Sequence, residues 1–383
     1  MNDRIPALRS WVLLLAACAI VGLAAPSQTL ADHYTVGVIA PLTGLGSSYG
    51  LGISQGAEMA AREINAAGGI NGHRLRLHVV DDTTDPARSV IMMRRLVTAS
   101  VNVIVGGWGS PQVLAHMDAA EDSGIPYIIV GATSPAITQT RNRWIFRVIQ
   151  NDAVSAAQLA RLAQATLGLK RIAIINDNNA YGTGSREAFA AELKRHRDEP
   201  VALQTYQTAD TDFRAQVETV LKSRPDGIAV FGTVPAAAGV VRQAREAGFQ
   251  GRLMGTGGMA NDRLMEMAGQ SAEGTLATGF FDEHADPQAK AWADRFRKEF
   301  AATQAPQPAQ AAWEYRALRQ IVVPCLGSAS NNRAKLRDCI RDFKGELMGI
   351  RGPVNFDPTG QLVQPPLALE VRKGAFITFK AAR

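Results

Sequence analysis

The sequence predicts an α/β fold: two doubly wound parallel-sheet lobes. Three observations point there. Tyr34 to Asp82 reads as strand, helix and strand. The same rhythm recurs down to Thr256, and after Gly279 it gives way to helices and a few short strands. A strand–helix–strand unit requires a parallel, right-handed crossover. In open parallel sheets ligands bind beyond the carboxyl ends of the strands, so those ends are where a site is sought.

Thr35 to Ala40 is a short apolar run rich in β-branched residues, stopped by the turn cluster from Pro41 to Gly46. From Ser54 apolar residues recur at helical spacing (Ala57, Ala60, Ala61, Ile64), and Gly68-Gly69 ends the helix. Arg74 to Val80 is the second strand and Pro86 to Ala99 the second helix. Val101 to Val105 is a strand ending in Gly106-Gly107-Trp108-Gly109-Ser110-Pro111, with a helix onward to Ser123. Tyr127 to Val130 repeats that grammar, ending in Gly131-Ala132-Thr133-Ser134-Pro135. Trp144 to Val148 is a further strand, and Asp152 opens a helix.

The second block alternates in the same way. Strands are expected at Arg171–Asn176, Val201–Tyr206, Gly227–Phe231 and Leu253–Thr256, with helices at Ser185–Arg195, Asp212–Ser223 and Ala237–Ala247. Helices then follow from Asp286, from Ala309 to Val323 and from Arg333 to Phe343. They are expected to pack back on the first lobe. Arg351 to Gly360 reads as a turn-rich strand, and Pro366 to Lys380 as a strand pair turning at Lys373-Gly374.

The N-terminus reads as a leader rather than as fold. Arg4 and Arg9 precede the apolar run Trp11 to Ala25, and Thr29-Leu30-Ala31 is a small-residue cleavage site. The alternative of a membrane anchor is disfavoured by the shortness of the run. Leu15-Ala16-Ala17-Cys18 also resembles a lipobox, which would tether Cys18 to a membrane. Export permits a disulfide between the two remaining cysteines, Cys325 and Cys339; two buried thiols are the alternative. The formal charge of +6 is scattered, with no basic run interleaved with aromatics, so nucleic acid is not implied. His33, His73, His78, His116, His196 and His284 form no metal-spaced pair, and no cofactor is implied.

Two successive strands therefore end in glycine, a hydroxyl residue and a helix start. Free N–H groups and the positive end of the helix dipole make such a start a place for an anion. A carboxylate suits Ser110 and Thr133, with a mere pair of caps as the alternative.

At this point the residues resemble a known family. APLTG with SSYG, GAEMAAREINAAGGINGHRLRLHVVDDTTDP, ATSPAIT, DNNAYGTG, TDF at Thr211 to Phe213, RQAREAG and FDPTG are similar to motifs of the type I periplasmic solute-binding proteins of the branched-chain amino-acid (Leu/Ile/Val-binding) kind. The resemblance spans the chain beyond the leader, in order. It implies two lobes joined by a three-crossover hinge, at Gln150–Asp152, Gly279–Asp282 and Ile350–Asn355. The first lobe would be 32–151 plus 280–350, the second 152–279 plus 351–383, after a signal peptide at 1–31. It implies a monomeric periplasmic protein that closes on a small molecule, hands it to an ABC permease and its ATPase, and does no chemistry on it. By resemblance Ser110 and Thr133 hold the ligand carboxylate, with Gly109 and backbone groups at Gly131 and Ala132. Tyr49 and Trp108 line the cleft, Tyr181 meets the ligand from lobe two, and Asp152 stands where an acid faces an ammonium group.

Two departures bear on the ligand. The loop Met254-Gly-Thr-Gly257-Gly258 has glycine where amino-acid binders carry an acid, and Thr233-Val234 replaces an aromatic residue. An ammonium without a carboxylate partner is costly to bury. The expected ligand is a small carboxylate, a branched-chain amino acid by family default or an amine-free aromatic or aliphatic acid. A ligand sensor for a membrane receptor is a further reading. A dehydrogenase reading of Gly44-x-Gly46-x-x-x-Gly50 fails on spacing, on the late helix start and on export. No G-x-S-x-G elbow supports a hydrolase.

Overall fold

The computed structural model describes residues 33–303, 307–329, 331–364 and 367–380. The leader, its cut near Ala31 and Cys18 lie outside these residues. Five strands build the first sheet: β1 (Tyr34–Ala40), β2 (Leu75–Asp81), β3 (Val103–Gly106), β4 (Tyr127–Ile129) and β5 (Ile145–Arg147). Their order is β2-β1-β3-β4-β5, all parallel. All of β1 except Thr35 is buried, as a parallel strand covered on both faces should be.

The helix after β1 spans Ser47–Ala66 and so starts one turn after Gly44, well ahead of the expected Ser54. Gly50 and Gly52 weaken the helical reading of this stretch, but packing requires small residues there. A Cβ on Gly50 would lie 2.0 Å from the Pro41 carbonyl oxygen, and one on Gly56 would lie 2.2 Å from that of Ala311. Gly50, the last glycine of the pattern that mimics a nucleotide fingerprint, and Gly56 thus let this helix touch its neighbours backbone to backbone.

The second sheet contains β6 (Ile172–Asp177), β7 (Ala202–Tyr206), β8 (Gly227–Phe231), β9 (Arg252–Gly255) and β10 (Leu276–Gly279). Short strands β11 (Lys344–Gly345), β12 (Val354–Phe356) and β13 (Leu362–Val363) form a small separate sheet. The terminal hairpin β14 (Leu367–Arg372) and β15 (Ala375–Thr378) joins the second sheet, in the order β15-β14-β10-β9-β8-β6-β7. β14 runs antiparallel to β10, and the hairpin turns at Lys373-Gly374, both with positive φ.

Helical segments Pro308–Arg316, Ala317–Val322 and Val323–Ala329 follow one another without a break, the middle one π-helical. Their buried residues, from Ala311 to Ala329, belong to the core that also holds Val36, Val38, Val103 and Val105 of the first sheet. Cys325 and Cys339 are joined by a disulfide (S–S 2.02 Å), which ties this segment to the helix Arg333–Arg341.

The chain passes between lobes three times. The third passage differs from the sequence expectation of 350–355. Val354, Phe356 and Leu362 pack in the first lobe's core, with the Phe356 ring 5.4 Å from that of Phe146. Arg147 N–H donates to the Gly360 carbonyl at 2.8 Å, and the Gln150 amide donates to the Gln364 carbonyl at 2.8 Å. The chain therefore stays with the first lobe over 351–364, and Leu367 is already paired with β10 in the second sheet. No helix among the described residues is long and apolar enough to cross a membrane.

Candidate functional site: a cavity between the lobes

A cavity of about 310 Å³ opens at the carboxyl ends of both sheets. Tyr49, Trp108, Gly109, Ser110, Gly131 and Thr133 line it from the first lobe, and Tyr181, Thr233 and Gly257 from the second. Ala132 and Asp152, also expected at the site, are buried behind this wall. Phe280, Trp313, Thr84, Gln112, Asn179 and Thr208 also line it and were not anticipated. A second cavity of about 340 Å³ lies beyond Phe280 and Trp313 and holds none of the expected residues; its Glu283 and Asp282 are paired with Arg297 and Arg351.

Strand ends place the polar groups. Ser110 begins the fourteen-residue helix after β3, with Pro111 in the first turn. Its Oγ accepts the Ser134 N–H at 3.1 Å, which leaves its own proton to point elsewhere. The second helix start is weaker than its sequence suggests, because the helix Ala136–Gln139 has only four residues. The N–H groups of Gly131 and Ala132 both donate to the Gly107 carbonyl at 3.1 Å. These two N–H groups, expected near a ligand, are thus engaged within the first lobe, while Gly131 lines the cavity.

That loop is shaped by Arg147, a fully buried residue that sequence reasoning passed over. Its Nη1 donates to the carbonyls of Ala132 (3.2 Å) and Ser134 (2.7 Å), its Nη2 to Thr138 Oγ1 (2.9 Å) and its Nε to Gln361 Oε1 (2.7 Å). Burial lowers its pKa to about 10, with Asp152 and Asp357 opposing. The available signal was a single charge inside the apolar run Trp144 to Ile149.

Aromatic side chains form much of the remaining wall. Tyr49 stacks on Trp108 with centroids 4.5 Å apart. Its hydroxyl crosses to the second lobe, donating to the Gly258 carbonyl at 2.7 Å and accepting the Val234 N–H at 3.0 Å. Tyr181 OH shares a hydrogen bond with Thr256 Oγ1 at 2.7 Å and accepts the Gly258 N–H at 3.1 Å. Burial holds both phenols above their ordinary range, so they stay neutral donors and acceptors. Phe280 and Trp313 meet edge to face at 5.7 Å.

No Asp, Glu, Lys, Arg or His lines this cavity among the described residues. Two acids stand behind it, each capped by a threonine hydroxyl. Thr133 Oγ1 donates to Asp152 Oδ2 at 2.7 Å, and Thr208 Oγ1 donates to Asp177 Oδ1 at 2.7 Å. Burial raises the pKa of Asp152 to about 7 and that of Asp177 to about 6. Asp152, expected to face a ligand ammonium, lies behind Thr133 and off the cavity wall. Gly257 leaves no room for a side chain: its Cβ would lie 2.3 Å from Phe280 Cε2. The space next to Gly257 is filled by a phenyl ring.

Two lobes, three crossings and a cavity at the strand ends are the architecture of a solute-binding protein. The chain belongs to the periplasmic binding protein family, whose model matches residues 33–375. It is 30% identical over 349 residues to the Leu/Ile/Val-binding protein of Escherichia coli K12, covering 91% of this chain and 93% of that one. It is 29% identical to an amino acid binding protein of Pseudomonas aeruginosa, covering 92% and 93%. Among solved structures, a leucine-binding protein from Thermotoga maritima superposes with a TM-score of 0.82 at 24% identity, covering 91% and 98%. A solute-binding protein from Rhodopseudomonas palustris in complex with 3,4-dihydroxybenzoic acid gives 0.80 at 23% identity, covering 92% and 98%. These likenesses establish a type I solute-binding protein of ABC transporters.

Proposed function

We propose that this chain captures a small amine-free carboxylic acid with a ring or branched apolar body, and delivers it to an ABC permease and its ATPase. The observation that carries this reading is the wall itself: hydroxyls and a helix start on one side, aromatic rings around, and, among the described residues, no Asp, Glu, Lys, Arg or His side chain. The carboxylate sits at the Ser110 hydroxyl and the first N–H groups of the helix Ser110–Ser123, where partial positive charge favours an anion. The body lies among Tyr49, Trp108, Phe280 and Trp313. Ser110, Thr133, Tyr49, Trp108, Tyr181 and Thr233 are the contact residues in this proposal. An ammonium group would be desolvated with no anionic partner on the wall, which costs several kcal/mol (roughly 2–7 for an uncompensated polar group, more for a charge). Relatives of R. palustris solved with benzoate and with 4-hydroxybenzoate support a ring acid as the class.

A second reading is a branched-chain amino acid, favoured by the Leu/Ile/Val-binding relatives at 30% identity and by Asp152 one hydroxyl away. Under either reading the protein is monomeric, works in the periplasm after removal of residues 1–31, and closes on its ligand about the three crossings. A thermal-shift screen of the mature protein against benzoate, 4-hydroxybenzoate, 4-methylpentanoate, leucine and valine tests the proposal. Ligand at a hundred times its Kd stabilises by about 2.7 kcal/mol, a readable shift. Shifts confined to leucine and valine overturn the amine-free reading.

A further inference from the structure

Thr133 has one hydroxyl proton and, in the proposed complex, two acceptors for it. Its Oγ1 donates to Asp152 Oδ2 at 2.7 Å, and the Asp152 N–H donates back to the Thr133 carbonyl at 2.9 Å. Side chain and backbone thus hold the two residues together. Thr133 faces the cavity while Asp152 is fully buried behind it. Asp152 Oδ1 is buried and makes no well-formed hydrogen bond.

Among the described residues no cation touches Asp152. Arg147, on the neighbouring strand, spends Nε, Nη1 and Nη2 on Gln361, Ala132, Ser134 and Thr138. It acts on Asp152 only through space. Tyr181, from the helix Ala180–Arg195, is the other titratable group acting on it, and its hydroxyl is engaged by Thr256 and Gly258. Ser185 of that helix and Thr133 are the hydroxyls that lower its pKa, against the larger effect of burial.

We propose that Asp152 is the proton partner of the binding site: capture of a carboxylate at Ser110 and Thr133 draws one proton from solvent onto Asp152 and reverses the Thr133 hydrogen bond. This rests on the carboxylate reading given above. Before capture, ionised Asp152 accepts the Thr133 hydroxyl proton. After capture, protonated Asp152 donates from Oδ2 to Thr133 Oγ1, and Thr133 donates to the ligand. One proton is taken up, and no bond between heavy atoms forms or breaks. Two carboxylates on either side of one hydroxyl disfavour double ionisation, because a like charge nearby favours the neutral acid. Burial has already raised Asp152 to about 7, so its protonation near neutrality costs little. Asp152 is a positioning residue here, since it acts on the ligand only through Thr133.

Titration calorimetry at pH 8 in phosphate and in Tris, whose ionisation enthalpies differ, counts the protons; benzoate, 4-hydroxybenzoate and leucine are the probes. The expected result is uptake approaching one proton per bound probe, fading toward zero at pH 5. Affinity should weaken by up to about tenfold per pH unit above neutrality. In Asp152→Asn the amide donates to Thr133 at every pH, so uptake and pH slope both vanish. A merely structural role would shift affinity and leave the slope in place. A probe that binds wild type with no proton uptake overturns the inference while leaving the carboxylate reading intact. Binding of none of the three overturns that reading and this inference with it. If Asp152→Asn does not fold, Thr133→Ser, which should keep the uptake, and Thr133→Val, which should lose it, make the same distinction.

Discussion

Replacing Tyr49 by Phe removes one oxygen and leaves the ring. The stack on Trp108 at 4.5 Å survives, as does the filling of the cavity wall. What is lost is the bridge between lobes: the hydroxyl's bond to the Gly258 carbonyl at 2.7 Å and the Val234 N–H bond to it at 3.0 Å. A neutral hydrogen bond contributes about 0.5–1.5 kcal/mol net, so the closed form should lose about 1–3 kcal/mol. The open form, with both partners hydrated, should lose nothing. Because a ligand held between the lobes needs the closed form, the loss appears as a Kd weakened by about 5- to 150-fold. Thermal stability without ligand should stay nearly unchanged. Calorimetry with the best ligand of the screen reads the first quantity and a melting curve the second. An unchanged Kd would refute the bridge as part of closure, and an equal loss of stability and affinity would show that it holds the fold instead.

Other substitutions test separate parts of the account. Gly257→Asp alone should destabilise, since its Cβ would lie 2.3 Å from the Phe280 ring; Gly257→Asp with Phe280→Ala should relieve the overlap and raise leucine affinity relative to 4-methylpentanoate, read by competition. His116 is buried between Ser89 Oγ (2.6 Å from Nδ1) and Tyr127 OH (3.0 Å from Nε2), and burial lowers its pKa to about 3. Its neutral form is the one the fold accepts, so stability is full above an unfolded pKa of about 6.5. It falls with pH down through about 3, by about 5 kcal/mol, and the loss should flatten in His116→Gln on urea curves taken across that range. Converting both Cys325 and Cys339 to Ser opens a loop with a sequence separation of 14, and should cost about 3 kcal/mol of stability in the same assay.

Local grammar made part of the site legible. Ser110, Thr133, Tyr181 and Gly257 follow strands by one short turn, and strand, turn and helix start can be read within a dozen residues. The parallel sheets follow from the same repeats. Phe280 and Trp313 could not be read this way, because each enters the cavity from a crossing or a distant helix and carries no local mark. The first helix was placed too late because Gly50 and Gly52 oppose helix by propensity, whereas their value is the close approach to Pro41 and Gln310. The third crossing lies further along the chain because Arg351 to Gly360, a turn-rich strand by its sequence, carries no local mark of the lobe it joins. What anchors it to the first lobe is long-range: Phe356 on Phe146, and Gln361 Oε1 on Arg147. Asp152 follows β5 closely in sequence, but its side-chain direction depends on Thr133, and only the fold brings the two together.

The central claim is that this cavity takes a carboxylate and has no place for an ammonium. Matched pairs that differ in that group alone test it most directly: 4-methylpentanoate against leucine, and 3-phenylpropanoate against phenylalanine, each titrated into the mature protein by calorimetry at pH 7. The account predicts that the amine-free member of at least one pair binds at least about tenfold tighter, the ratio that corresponds to 1.4 kcal/mol. Tighter or equal binding of the amino acid in both pairs would contradict it, and would mean that an acid behind the wall reaches the ammonium after all.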